Sequence, residues 1–273
     1  MSTEIANLKG GALSGVNSAL LERLAAQAKD AAAKERPALG KITLPSGILT
    51  YNGVSQPGNK MEVLILAATY RNTWYRGPYD PDNVRNPGCF ALALEESALV
   101  PDSIVPTPPK SIVTGEPTTN CKDCAYGQWK SDPDPKRKGK ACKQSRRLVL
   151  LPANLTKTAD EVTAGELAVM DMPVTSAVNY GNFVNSVTAM TGMPSWMAHC
   201  EISIERDPKT QFKVLLKPFK LVDSEPIIMA LEKKKEEATR IALMPYDDVD
   251  TSDDDQDAAA SAAPPPSGKK AKF

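Results

Sequence analysis

Three cysteines, two aromatic residues and nine Lys or Arg fall between Cys121 and Arg147. Residue types at this spacing can do two kinds of chemistry. Cys121 and Cys124 stand at the two-residue spacing that lets one turn aim both thiolates at a soft cation, and Cys142 follows downstream. Tetrahedral zinc takes four such donors. The fourth candidate is Cys89, which follows Asn86-Pro87-Gly88, a turn predicted to expose it at a strand start. His199 and Cys200 are the alternatives, both inside a strand pattern. Ligand count and placement favour Cys89, Cys121, Cys124 and Cys142 holding a structural Zn2+, because no general base stands beside them. Scattered buried thiols without a metal are the competing reading.

The second chemistry is electrostatic. Only Asp123, Asp132 and Asp134 oppose the nine cations of this stretch. Lys130, Lys136, Arg137, Lys138, Lys140, Lys143, Arg146 and Arg147 form a predicted track for phosphates. Tyr126 and Trp129 supply faces on which bases stack. A second aromatic stretch, with Trp74 and Tyr75 beside Tyr70, Tyr79, Arg71 and Arg76, extends the candidate surface. Cations tracking phosphates and rings stacking bases predict single-stranded DNA binding, weak in sequence preference and sensitive to salt. A basic cluster alone is more often a solvated face, and core packing competes for Tyr70 and Trp74. Trp196 and Phe183 sit on apolar patterns and are assigned to the core.

The 273-residue chain has a formal net charge of zero, but the charge is segregated. Asp247, Asp248, Asp250, Asp253, Asp254, Asp255 and Asp257 crowd into one short block without a base. That block is predicted to compete with DNA for the cations and to offer an acidic arm. An enzyme is not expected. A single histidine, with no Gly-rich phosphate loop and no Gly-x-Ser-x-Gly, leaves ordinary hydrolytic mechanisms nothing to build on. Asp80 and Asp82 are predicted turn residues. The longest apolar run, Val63 to Ala68, is too short to cross a bilayer. The start of the chain lacks a basic region followed by an apolar run, and five unevenly spaced cysteines do not suggest disulfides, so a cytoplasmic location is expected.

The elements that must position these residues are mainly strands. Residues 1–40 are an alanine-rich helical segment, with Leu20, Leu21, Leu24, Ala25 and Ala28 at helical spacing. It is predicted to pack on the body or to dock a partner, with self-association as one form of that. Strands are predicted over 41–44, 47–51, 61–70, 89–94, 147–151 and 166–172, with a hairpin over 196–205 and 211–221 closed by Asp207-Pro-Lys-Thr210. Tyr180, Phe183, Val184, Val187 and Met190 share one helical face. Between 100 and 120 lies a long Pro-rich connection that a metal would pin. The predicted organisation is a core over 41–222 with a cysteine element at about 86–147, a helix over 223–245 and a disordered acidic tail over 246–273. Short strands with few helices predict a mainly β, α+β fold.

The runs Asn86-Pro-Gly-Cys89-Phe, Cys121-x-x-Cys124-x-Tyr126-x-x-Trp129-x-Ser131, Lys138-Gly-Lys140-Ala-Cys142-Lys143 and Arg146-Arg147-Leu-Val-Leu-Leu resemble a recurrent pattern in phage proteins predicted to bind single-stranded DNA. The resemblance runs from about Met61 to Leu221 and includes Met172-Pro-Val-Thr-Ser-Ala. It implies an OB-like β-barrel with an inserted four-cysteine zinc element, serving DNA replication, recombination or repair in the host cytoplasm. It also implies an acidic tail that recruits replication or recombination proteins. Here an Ala/Pro stretch and three lysines separate the acidic block from Phe273, a departure from such tails. A zinc-ribbon module docking on replication or transcription machinery is the alternative.

Overall fold

The computed structural model describes residues 20, 23, 24, 27, 39–77, 86–133 and 139–245. Nine strands form one sheet: β1 (Gly40–Thr43), β2 (Thr50–Tyr51), β3 (Val54–Ser55), β4 (Lys60–Trp74), β5 (Cys89–Ala93), β6 (Lys143–Pro152), β7 (Ala168–Met172), β8 (Ala198–Asp207) and β9 (Gln211–Leu221). The described helices of the body are α1 (Ala159–Ala164), α2 (Ala177–Thr191) and α3 (Glu225–Ala242). The strand order is β3-β2-β1-β7-β6-β4-β8-β9, with β5 also on β4. The sheet curls into a half-barrel with few helices.

The apolar run of β4 is continuous because both faces of this central strand are covered. Val63 and Ile65 enter one core with Leu148, Leu150 and Met170, and α2 covers it with Phe183 and Val187. Leu64 enters a second core with Val149 and Leu151, covered by Val162 of α1 and by Leu231, Ala238 and Ile241 of α3. A register shift between Ile65 and Ala67 breaks the alternation, so Leu66 and Ala67 both turn to the second core. The predicted C-terminal helix therefore belongs to the body. α1 is absent from the strand-and-helix pattern read above. Its start is set by Thr158, whose side chain accepts the Glu161 N–H, while the Glu161 carboxylate accepts the Lys157 N–H.

Side chains cap part of the edge strand β9. The Val214 N–H donates to Ser176 Oγ at 2.9 Å. Asn179 Nδ2, from α2, donates to the Val214 carbonyl at 2.7 Å. Pro218 removes one further edge donor, so β9 offers little to a stray strand. At the far N-terminal side, Leu20, Arg23, Leu24 and Gln27 are helical, as the spacing predicts, but exposed. Leu20 and Leu24 do not enter the core. No described helix is long and apolar enough to cross a membrane. The acidic block and Phe273 lie outside the described residues.

Candidate metal centre and nucleic-acid interface

β4 outruns the cores. Its last residues, Tyr70 to Trp74, pair with β5, and Trp74 stands directly opposite Cys89. Cys89 is at a strand start as predicted, but buried, not exposed. Trp74, Phe90 and Val105 pack around it, and Gly88 lets the chain pass under the Trp74 ring, where a Cβ would lie 2.9 Å from Cζ3.

The Pro-rich connection is folded by its own hydrogen bonds around the other cysteines. The Cys121 N–H donates to Leu99 O at 3.0 Å, and the Cys142 N–H to Tyr126 O at 2.9 Å. Asn120 Oδ1 accepts the Asp123 N–H while Asn120 Nδ2 donates to Asp123 Oδ2, each at 2.9 Å. Gly127 lies against the Cys121–Cys124 turn, where a Cβ would come 3.2 Å from Cys121 O.

Cys89, Cys121, Cys124 and Cys142 line one cavity of about 10 Å3, with Asn72, Trp74 and Tyr126 also in its wall. A cavity that small suits a single atom, not an organic ligand. Burial pushes the Cys89 thiol up to about 12, with further upward pressure from Cys121 and Cys124. Burial pushes Cys142 to about 12, the other three cysteines add to it, and Lys140 opposes. Cys121 is raised by burial to about 11, held down in part by a hydrogen bond from Asn72. Asn72 Oδ1 is buried without a partner. Among the described residues, no group of three or more His, Cys, Asp or Glu is arranged to hold a metal ion as it stands. The thiols thus share a cavity without the closed geometry that an ion imposes. The donor set itself fits a zinc-type ion: four soft ligands and an amide bond to one sulfur, of the kind that orients ligands. Cys200 sits in the first core, and His199 pairs with Leu64; neither lines this cavity.

From the cavity rim rises a turn that carries Trp129. Ser131 Oγ donates to Tyr126 O at 2.9 Å and to Gln128 O at 2.6 Å, and accepts the Ala141 N–H at 2.9 Å. Lys130 adopts φ +67°, a left-handed conformation that costs a non-glycine residue energy. The outcome is a Trp129 ring 75% exposed, with the Lys140 ammonium 5.9 Å from its centroid.

Several predicted contact residues are placed differently. Trp74 and Tyr126 pack on one another, centroids 4.6 Å apart, and wall the thiol cavity; they are not free stacking faces. Arg147 is buried. Its Nε pairs with Asp171 Oδ1 at 3.3 Å and its Nη1 donates to Met244 O at 2.6 Å, so it ties α3 to the sheet. Lys143 Nζ pairs with Asp132 Oδ2 at 2.9 Å and donates to Lys140 O. Arg146 remains half-exposed with its guanidinium 3.2 Å from the Tyr70 ring centroid. Tyr75 is exposed, and Lys130 is exposed beside Trp129. Lys136, Arg137 and Lys138 lie outside the described residues, as do Tyr79, Asp80 and Asp82. Asn72 leaves no trace in the sequence, and Ser131 stands in the quoted pattern without a role, because what each does depends on neighbours across the sheet and the turn. No family model, curated protein or solved structure matches the chain.

Proposed function

We propose that this protein binds single-stranded DNA without catalysing a reaction, through an OB-like half-barrel whose cysteine element is stabilised by zinc. The observation that carries the reading is Trp129, an exposed indole on a turn fixed by three hydrogen bonds at Ser131 Oγ, flanked by Lys130 and Lys140. An apolar ring of this size held in water by strained backbone is suited to base stacking, with cations placed for the adjoining phosphates. Cys89, Cys121, Cys124 and Cys142 would hold the zinc, which when bound supplies no reaction, only a cross-link between β5 and the loop. Phage replication, recombination or repair is the setting that the sequence resemblance suggests, with the Asp247–Asp257 block as partner-recruiting arm and internal competitor.

A zinc-ribbon docking module is the second reading. Ile112 and Val113, 57% and 73% exposed on the same element, favour it as an apolar contact for a protein. One titration separates the two: labelled single strand against duplex of the same length, over a range of salt. Tighter single-strand binding that weakens with salt supports the proposal; equal or better duplex binding, or none, refutes it.

A further inference from the structure

One edge of β4 is interrupted. Along it, β8 pairs through Lys60–Leu64 and β5 through Tyr70–Trp74. Among the described strands none pairs with residues 65–69 on that side, while β6 fills the other. A cavity of about 220 Å3 opens at the break, lined by β4 itself with Leu94, Tyr180, Ser195, Trp196 and Lys235.

The chemistry of this opening is specific. A strand edge without a partner offers peptide N–H and C=O groups in fixed positions. Tyr180 and Trp196 add two aromatic rings, with the Tyr180 hydroxyl bonded to Ser195. The Lys235 ammonium lies 5.6 Å from the Trp196 ring. On the other side, Arg146 spans from Tyr70 at 3.2 Å to Tyr180 at 5.7 Å. Tyr70 and Cys121 both pack against the small cluster of Ala91, Ala93 and Leu99. A run of rings and one guanidinium therefore leads from the cysteine element to the opening.

We propose that this break is a base-binding subsite for a single-stranded nucleic acid. One base lies against Tyr180 and Trp196 with its edge hydrogen-bonded to the β4 main chain, and Lys235 and Arg146 meet the neighbouring phosphates. The inference rests on the single-strand reading above and adds a second place where a base is seated. An apolar side chain in the same cavity would leave the strand's peptide groups unpaired, a cost a base edge avoids. An added peptide strand is too long a guest. Residues 65–69 span only about 17 Å, and Leu94 and Trp196 stand in the cavity wall where β5 and β8 leave off.

The test uses the full chain labelled with 5-fluorotryptophan, its three resonances assigned by Trp→Phe variants, with Trp196→Phe identifying the reporter. Oligomers of dT, of dA and of abasic sites are added in turn. The dT or dA oligomers should move both the Trp129 and Trp196 resonances, whereas the abasic one should leave Trp196 in place. Thr239→Phe, at a residue of α3 that also lines the cavity, should weaken base-bearing strands about fivefold or more, the loss of one stacked base, and leave abasic affinity and melting temperature unchanged. A shift at Trp129 with Trp196 unmoved, or unaltered affinity in Thr239→Phe, overturns the subsite and leaves the single-strand reading standing. Absence of binding to every oligomer overturns both.

Discussion

Replacing Trp129 with Ala isolates the stacking contribution because the residue does so little else. Its ring is 75% exposed, so truncation removes almost no buried area, and melting should move by no more than a surface substitution does, within about 0.5 kcal/mol. A stacked base is worth about 1–3 kcal/mol, which predicts a loss of affinity of about 5- to 150-fold. The salt slope should not change, since an indole neutralises no phosphate. Lys130→Ala is the counterpart. It should lower the steepness of log K against log salt by about 0.7, one phosphate on a single strand. The assay is anisotropy of a labelled single strand at four or five salt concentrations. An affinity change below twofold for Trp129→Ala would refute the stacking role, because the ring then touches no base, and a flattened salt slope in that variant would refute it by assigning the loss to displaced cations.

The other expectations concern the thiols, the second arginine and the acidic block. Protein prepared without chelator should contain about one zinc per chain by elemental analysis, and Cys142→Ser should lose both the metal and several degrees of melting temperature; wild-type protein without metal would sink the assignment. The metal-free protein carries thiols raised from 9.0 to about 12 at Cys89 and Cys142 and to about 11 at Cys121. A folded pKa above the unfolded one means stability held below about pH 9 and lost as pH rises toward 12. Zinc-loaded protein should show the reverse, failing in acid as protons compete for the ligands, and matching pH profiles with and without zinc would contradict this. Arg147→Ala should cost about 1–3 kcal/mol of stability through its lost charged hydrogen bonds while leaving the DNA salt slope intact; a shallower slope in chemical-denaturation-stable protein would return Arg147 to the DNA surface. Deleting residues 247–273 should tighten single-strand binding at low salt, and unchanged or weaker affinity would exclude competition by the aspartates.

Periodicity made the sheet legible, and pairing made the site illegible. β8, β9 and the inner face of α2 follow from alternation or helical spacing, because burial of one face leaves a regular trace, while β6 shows as a continuous apolar run because both its faces are covered. The convergence of Cys89 with the three later cysteines rests on chemistry that ligand counting can anticipate. What the Lys/Arg tally could not convey is direction. Adjacent residues on a strand point to opposite faces, so Arg146 and Arg147 could never share one surface. Arg146 faces Tyr70, and Arg147 faces Asp171 and the end of α3. Trp74 fails for a related reason: its neighbour is set by the β4–β5 register and by Tyr126, which arrives from a residue far along the chain.

β4 makes the two halves of the molecule mechanically one. Its first residues build both cores, and its last five carry β5 and the cysteine cavity. Those last residues also hold Tyr70 against Arg146, and Thr73 opposite Lys143. A cross-link among Cys89, Cys121, Cys124 and Cys142 would therefore do more than hold a loop. It would fix the distal end of β4, and with it the spacing between the Trp129 turn and the break at residues 65–69. Loss of that cross-link should then act on DNA binding as a change in how well the sites are aligned, felt by long strands that must engage both places and hardly at all by a mononucleotide that needs only one.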